Sequence, residues 1–231
     1  MPKKTYLLDD GTEINVYKSR LSRNLRISLT AHGKVRVSIP SWAPYKAGVE
    51  FAKAKHDWIA DNLTRPSLLY DGQVIGKSQS LTLVAGDVSA VKSRIYDDEV
   101  RVTYPSSLNA SSDEVQTTAK KAAIRGIRAQ AQAALPIRLD ELSNQTGLSY
   151  KSCSVRVLKG RWGSCDSNSH ITLNIYLMKL PWQLIDYVLI HELTHTAVMK
   201  HGPEFWAEME KYVDNPKDLK KQLRQFQPTI G

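Results

Sequence analysis

The chain has 231 residues, 42% hydrophobic and 24% charged, with a formal net charge of +9, the balance of an ordinary globular protein. No run approaches the ~20 apolar residues of a membrane span, and the opening MPKKTYLLDDGT has no apolar stretch of signal-peptide length. These features point away from a membrane protein and toward a cytoplasmic one, built as one large domain or two small ones.

Residues 1–110 carry 16 basic and 11 acidic side chains, and residues 111–231 carry 16 and 12. The positive excess is therefore spread over both halves. Such a field favours anionic partners, nucleotides or nucleic acid among them, and it suits a plain basic protein as well.

In chain order, Glu13–Val16, Leu25–Thr30 and Lys34–Ile39 alternate as strands do, with Ala31-His32-Gly33 placed to turn the last two into a hairpin. Lys18, Arg20, Arg23 and Arg26 crowd its approach. They read either as a charged edge that discourages strand aggregation or as an anion-contacting surface. A helix is expected over Tyr45–Asn62, with Ala47, Phe51, Ala54, Trp58 and Ile59 as its apolar stripe and His56 turned to solvent. Pro66 closes that segment. Strands return at Gln79–Val84, Val88–Tyr96 and Glu99–Tyr104. The polar stretch from Pro105 to Ser112 breaks periodicity, and the junction between an N-terminal β-rich domain (1–110) and a second domain (111–231) is placed there.

Ser112 can cap a helix running to about Ala134, which Pro136 should kink or split from a second piece ending before Gly147. Lys121, Arg125 and Arg128 form one basic stripe on it, read as a solvated face. Ser154–Leu158 and Ile171–Leu177 read as strands. The connection between them, RWGSCDSNSH, holds Trp162 and Gly163. If it edges a substrate cleft, Gly163 would allow close backbone approach and Trp162 would form a wall. Otherwise they, with Cys165, are packing residues. Asn174 can reach a helix end or the substrate. Cys153 and Cys165 are too few for a disulfide framework, and reduced thiols are expected. A site made of both with His170 would need further ligands.

The richest stretch is IDYVLIHELTHTAVMKHGPEFW, residues 185–206. Ile185, Val188 and Leu189 recur at helical spacing, so His191 and His195 fall one turn apart on one face. Two such imidazoles can hold one metal ion, with Glu192 beside it as general base to a bound water. A catalytic zinc site takes a third protein ligand. His201 is that candidate, swung back by a turn after a helix expected to end near Met199 or Lys200. Pro203 then opens a new helix at Glu204. Glu204, Glu208 and Glu210 are reserve ligands. The metzincin pattern has a glycine where Val198 stands. Half of the six histidines fall in these eleven residues, 191–201, and an apolar helix bears the cost of burying them only if something coordinates or pairs them. Beyond it, Phe205, Trp206, Met209 and Val213 form an apolar face, and Lys217–Phe226 a short basic helix.

Together, RWGSC at 161–165, ITLN at 171–174, PWQLIDYVLIHELTH at 181–195 and HGPEFW at 201–206 resemble the YgjP-like (DUF45) metallopeptidase-type family, related to the SprT-like and WLM zinc proteases. The usual family form has Asn and Ser where Lys200 and Gly202 stand here, and the His-Gly form looks more like SprT-like proteins. The resemblance implies an α+β fold with a compact, minigluzincin-like zincin core, Zn²⁺ (or another divalent ion) on His191, His195 and His201, Glu192 as catalytic glutamate, and peptide or protein substrates. Three rivals stand beside it: a metal-dependent hydrolase of nucleoside triphosphates, a nucleic-acid-associated zincin-fold protein, and a zinc-stabilised domain without activity.

Overall fold

The computed structural model describes residues 3–29, 35–62 and 68–229. The expected turn at Ala31-His32-Gly33 and the closing Pro66 lie outside them. The chain forms two compact units, Met1–Ser67 and Leu68–Gly231. The division therefore falls well before the expected junction near residue 110. The physical reason is that the strands of residues 74–105 bury their apolar face with the long helix that follows them and share its core.

In the N-terminal unit, strands β1 (Lys3–Leu7), β2 (Glu13–Ser19), β3 (Arg26–Leu29) and β4 (Val35–Pro40) form one sheet in the order β1-β2-β4-β3. β3 and β4 pair antiparallel, as a hairpin would, while β2 runs parallel to β4. Strand alternation sends Ile14, Val16, Val35, Val37 and Ile39 to one face, where all are fully buried. Two helices, α1 (Tyr45–Ala54) and α2 (His56–Asn62), replace the single expected one, because Lys55 leaves helical geometry at φ −113°. The buried stripe is accordingly Gly48, Ala52 and Ile59, whereas Ala54 and Trp58 are exposed. Gly48 is what lets α1 lie close to the sheet: a Cβ there would stand 2.7 Å from Val16 Cγ1.

The C-terminal unit has a sheet of β5 (Val74–Ile75), β6 (Gln79–Gly86), β7 (Lys92–Ile95) and β8 (Glu99–Pro105), in the order β5-β6-β8-β7. It packs on α3 (Asp113–Thr146), a helix of 34 residues. Ser112 stands at the N-cap position, but its hydroxyl donates back to Asn109 O rather than accepting a helix N–H. The helix also runs through Pro136 without splitting. A proline removes one ladder bond, and here the flanking Leu135, Leu139 and Leu142 hold both halves in one core. Two glutamines bind the sheet connections to α3. Gln116 takes the Leu69 N–H and donates to the Leu69 carbonyl, and Gln130 does the same for Lys77 N–H and the Ile75 carbonyl. Lys121, Arg125 and Arg128 lie on the exposed face.

A second sheet follows: β9 (Ser152–Arg156), β10 (Gly163–Cys165) and β11 (His170–Asn174), in the order β10-β11-β9. A 3₁₀ turn at Ile175–Lys179 leads to α4 (Trp182–Thr194), then α5 (Pro203–Met209) and α6 (Pro216–Leu223). The whole is α+β. Among the described residues no helix is long and apolar enough to cross a membrane.

Leu139→Ala removes a fully buried side chain from the stretch that carries α3 past its proline. It should cost about 2–5 kcal/mol, read as a lower midpoint in urea unfolding followed by circular dichroism.

Candidate metal centre

α4 is apolar nearly throughout: Leu184, Ile185, Val188, Leu189, Ile190 and Leu193 are all buried. Such a helix sits deep in the core, and the polar side chains near its C-terminal end, His191, Glu192, Thr194 and the C-cap His195, are drawn in with it. Glu192 is 5% and His195 7% exposed. The helix stops at Thr194, sooner than expected, with His195 at its C-cap. Thr196 N–H bonds to Leu193 O and Val198 N–H to Thr194 O, so the chain turns at once and returns through His201. Pro203 then starts α5 at its favoured first position.

This turn brings three rings together. His201 Nε2 lies 2.9 Å from His191 Nε2 and 3.1 Å from His195 Nε2, and one nitrogen from each ring falls within 4.8 Å of the others. Ligands about 2.0–2.1 Å from one tetrahedral ion would stand about 3.3 Å apart, so the set fits a zinc-sized cation. His195 supports the fit from behind. Its Nδ1–H can donate to Val198 O at 3.2 Å, which leaves the Nε2 lone pair for a metal. His191 Nδ1 is buried and has no partner, the one such side-chain atom among the described residues. Burial presses His191 toward the neutral, ligating form, down to about 3, and the other two imidazoles add to that. His195 and His201 shift the same way, again mainly through burial.

Phe205 forms the floor. Its ring centre is 4.8, 4.6 and 4.7 Å from those of His191, His195 and His201. From the sequence alone it reads only as a core residue of the second helix. Its place two residues after Gly202-Pro203 was the available signal. Trp206 stands beside it, 6.4 Å from His191 and 6.3 Å from His201.

Glu192 faces the edge strand β10. A Cβ on Gly163 would lie 2.7 Å from Glu192 Oε1 and 2.8 Å from its Cγ, so only glycine lets strand and carboxylate approach this closely. Burial raises the Glu192 carboxyl to about 8, with Arg161 pulling weakly the other way. Gly163, Ser164, Cys165, Met199, Glu192 and the three histidines line one depression of about 250 Å³.

The remaining candidates fall elsewhere. Trp162 is half-buried and packs against the core rather than lining the depression. Asn174 is fully buried. Its amide donates to Leu158 O and Arg161 O, and its Oδ1 takes the Tyr176 N–H. It therefore holds the loop that leads into β10 and has nothing left for a substrate. Glu204, Glu208 and Glu210 stand outside the histidine cluster, and Glu208 is engaged by Lys211 and Tyr212. Cys153 and Cys165 both pair with Ile171, on opposite sides of it. Two strand spacings, about 9.5 Å, exceed disulfide reach. His170 is bonded by Ser152 and Ser154 instead, which leaves the two-cysteine site without its third member.

A model of the YgjP-like metallopeptidase domain matches residues 23–226. No curated protein matches the chain. Among solved structures, the crystal structure of the metallopeptidase zymogen of Pyrococcus abyssi abylysin is 23% identical, with a TM-score of 0.37, covering 42% of this chain and 99% of that one. The metallopeptidase zymogen of Methanocaldococcus jannaschii jannalysin is 18% identical, with a TM-score of 0.36, covering 39% of this chain and 94% of that one.

Zinc added to the metal-free protein should raise its melting temperature, as any ligand of the folded state does. His195→Ala should abolish that rise in differential scanning fluorimetry. The buried carboxyl supplies a second expectation for the metal-free protein. Glu192 holds its proton to about pH 8 when folded but to about 4.5 when unfolded, so the stability it lends at low pH is lost as pH rises through that window. Glu192→Gln cannot lose a proton, and its advantage over wild type should grow between pH 5 and 8, to on the order of 4 kcal/mol, measured by denaturant melts in EDTA.

Proposed function

The chain belongs to the YgjP-like metallopeptidase-domain family, and from that premise we propose that it is a zinc-dependent peptidase with Glu192 as general base and His191, His195 and His201 as metal ligands. The observation that carries this reading is the convergence of three Nε2 atoms beside a buried carboxylate, under an edge strand. When bound, the ion supplies Lewis acidity, acidifying a water and polarising a carbonyl.

The protein's own groups do the rest. Glu192 accepts the proton of the attacking water and passes it to the leaving amine; the burial that raises its proton affinity in the metal-free protein would be offset by a neighbouring cation. Phe205 and the apolar flank of α4 seat His191 and His195, while His201 closes the cluster from the exposed side. β10 pairs with β11 on one side, and its other edge is placed to receive an extended peptide as an added strand. Gly163 would set that strand's height above Glu192. Among the described residues, no lysine or arginine lines the depression. That favours a peptide carbonyl over a triphosphate, whose charge calls for such side chains. A cytoplasmic setting accords with the two separated thiols.

Glu192→Gln should keep its zinc, measured by elemental analysis, while kcat/KM on a peptide pool falls by about 10²–10⁴-fold. Undiminished amine release would reject Glu192 as the base. Phosphate release from nucleoside triphosphates by the wild type, with no new amines from peptides, would reject the peptidase reading. Gly163→Ala should bind zinc normally yet lose turnover, because the added methyl displaces the carboxylate; unchanged turnover would remove β10 from the mechanism.

A further inference from the structure

We propose that the open face of the N-terminal sheet binds a single nucleic-acid strand through its phosphate backbone. The inference is independent of the metal centre. Helices α1 and α2 pack on the face that buries Val16, Val37 and Ile39. Among the described residues, no helix of this unit packs on the other face. Strand register sets what it carries. One row across the four strands reads Lys3, Tyr17, Ser38, Arg26, and the next reads Thr5, Asn15, Arg36, Ser28. Lys3, Arg26, Arg36, Thr5 and Ser28 are all exposed.

Cations stand on both sides of this unit: Lys4 and Lys18 lie over the Tyr45 ring of α1, and Lys46 and Lys55 belong to or flank that helix. Asp9 and Asp10 are matched by Lys53 and His56, and Lys53 and His56 belong to α1 and α2. Lys3, Arg26 and Arg36 have no ion-pair partner among the described residues. Among the described residues, the one carboxylate on the strands of the open face, Glu13, sits at the far corner opposite Leu7, where it accepts from Asn15 Nδ2. At the other end, beyond Tyr17, the β2–β3 connection adds exposed Arg20 and Arg23, and Ser22 Oγ ties that connection to Ser38 Oγ at 3.1 Å. Arg23 and Arg26 line one shallow depression there, of about 410 Å³.

The chemistry selects a nucleic acid over other polyanions. Hydroxyls interleaved with guanidinium groups are the usual donors to phosphate oxygens. Arg36 already stacks on Tyr17, its guanidinium carbon 4.3 Å from the ring centre, a planar pair on which a base can stack. An anionic membrane would need apolar side chains to insert. Leu7, Leu21 and Trp42 are exposed, but only Leu7 belongs to a strand of this face, and Leu21 and Trp42 stand beyond the ends of β2 and β4. An acidic protein would need a buried anchor, and the face offers no apolar pocket.

The test is fluorescence anisotropy of a labelled 20-nucleotide single strand with the full chain in EDTA, across a salt series. Wild type is expected to bind at 50 mM salt. The double variant Arg26→Ala, Arg36→Ala is expected to weaken binding at least tenfold and to lower the log–log salt slope by about 1.4, at about 0.7 per phosphate contact. A control with the same loss of charge, Lys53→Ala with Lys121→Ala, should bind within twofold of wild type, with melting curves showing that all variants fold. Absence of wild-type binding, or equal losses in the two doubles, overturns the proposal. So does equal or tighter binding to phosphatidylserine vesicles or to polyglutamate.

Discussion

Bringing three imidazole nitrogens within 4.8 Å of one another, with His201 about 3 Å from each of the other two, is the constraint on which the C-terminal unit depends. Neutral rings gain little from meeting nitrogen to nitrogen, and each loses hydration on the way in. The protein meets that cost with apolar packing. α4 is buried along most of its length, so His191, Glu192 and His195 are carried into the core by the burial of their neighbours. His201 reaches them only because the helix stops at Thr194 and the chain doubles back within a few residues. Phe205, nearly equidistant from all three rings, fixes their mutual angle from below.

Around that seat the structure is layered. Glu192 lies between the histidines and β10, and the strand can come so near only at a glycine. β10 is short and at a sheet edge, so its position needs support. Asn174 gives it, from the far end of the neighbouring strand, by holding the carbonyls of Leu158 and Arg161 while its own N–H bonds to Trp162 O. A residue with the look of a substrate contact thus acts on the site at one remove. The same division holds for Trp162, whose packing against the core steadies the approach to Gly163.

The N-terminal unit follows different rules. It has its own small core under two helices and a second sheet face that stays polar and cationic. Asp9 and Asp10 are engaged by Lys53 and His56 of the helices, while Lys3, Arg26 and Arg36 stand exposed on the open face. The charge excess read from composition is evenly divided between the chain halves, and strand alternation decides which of the N-terminal cations share the open face.

Much of the candidate site was legible because it is local. H-E-x-x-H on an apolar helix states its own geometry through the 3.6-residue period, and His201 followed by Gly202-Pro203 announces a turn and a new helix. Strand positions were legible for the same reason: period-two alternation is a property of neighbours in the chain. What sequence could not decide was which distant segments share a core. The sheet of residues 74–105 joined α3 rather than the N-terminal strands, α3 crossed Pro136 because leucines on both sides were buried together, and Asn174 turned inward to carbonyls 13 and 16 residues away. Those outcomes rest on the balance of buried area and satisfied hydrogen bonds summed over the fold. That sum has no signature within any one stretch of the chain.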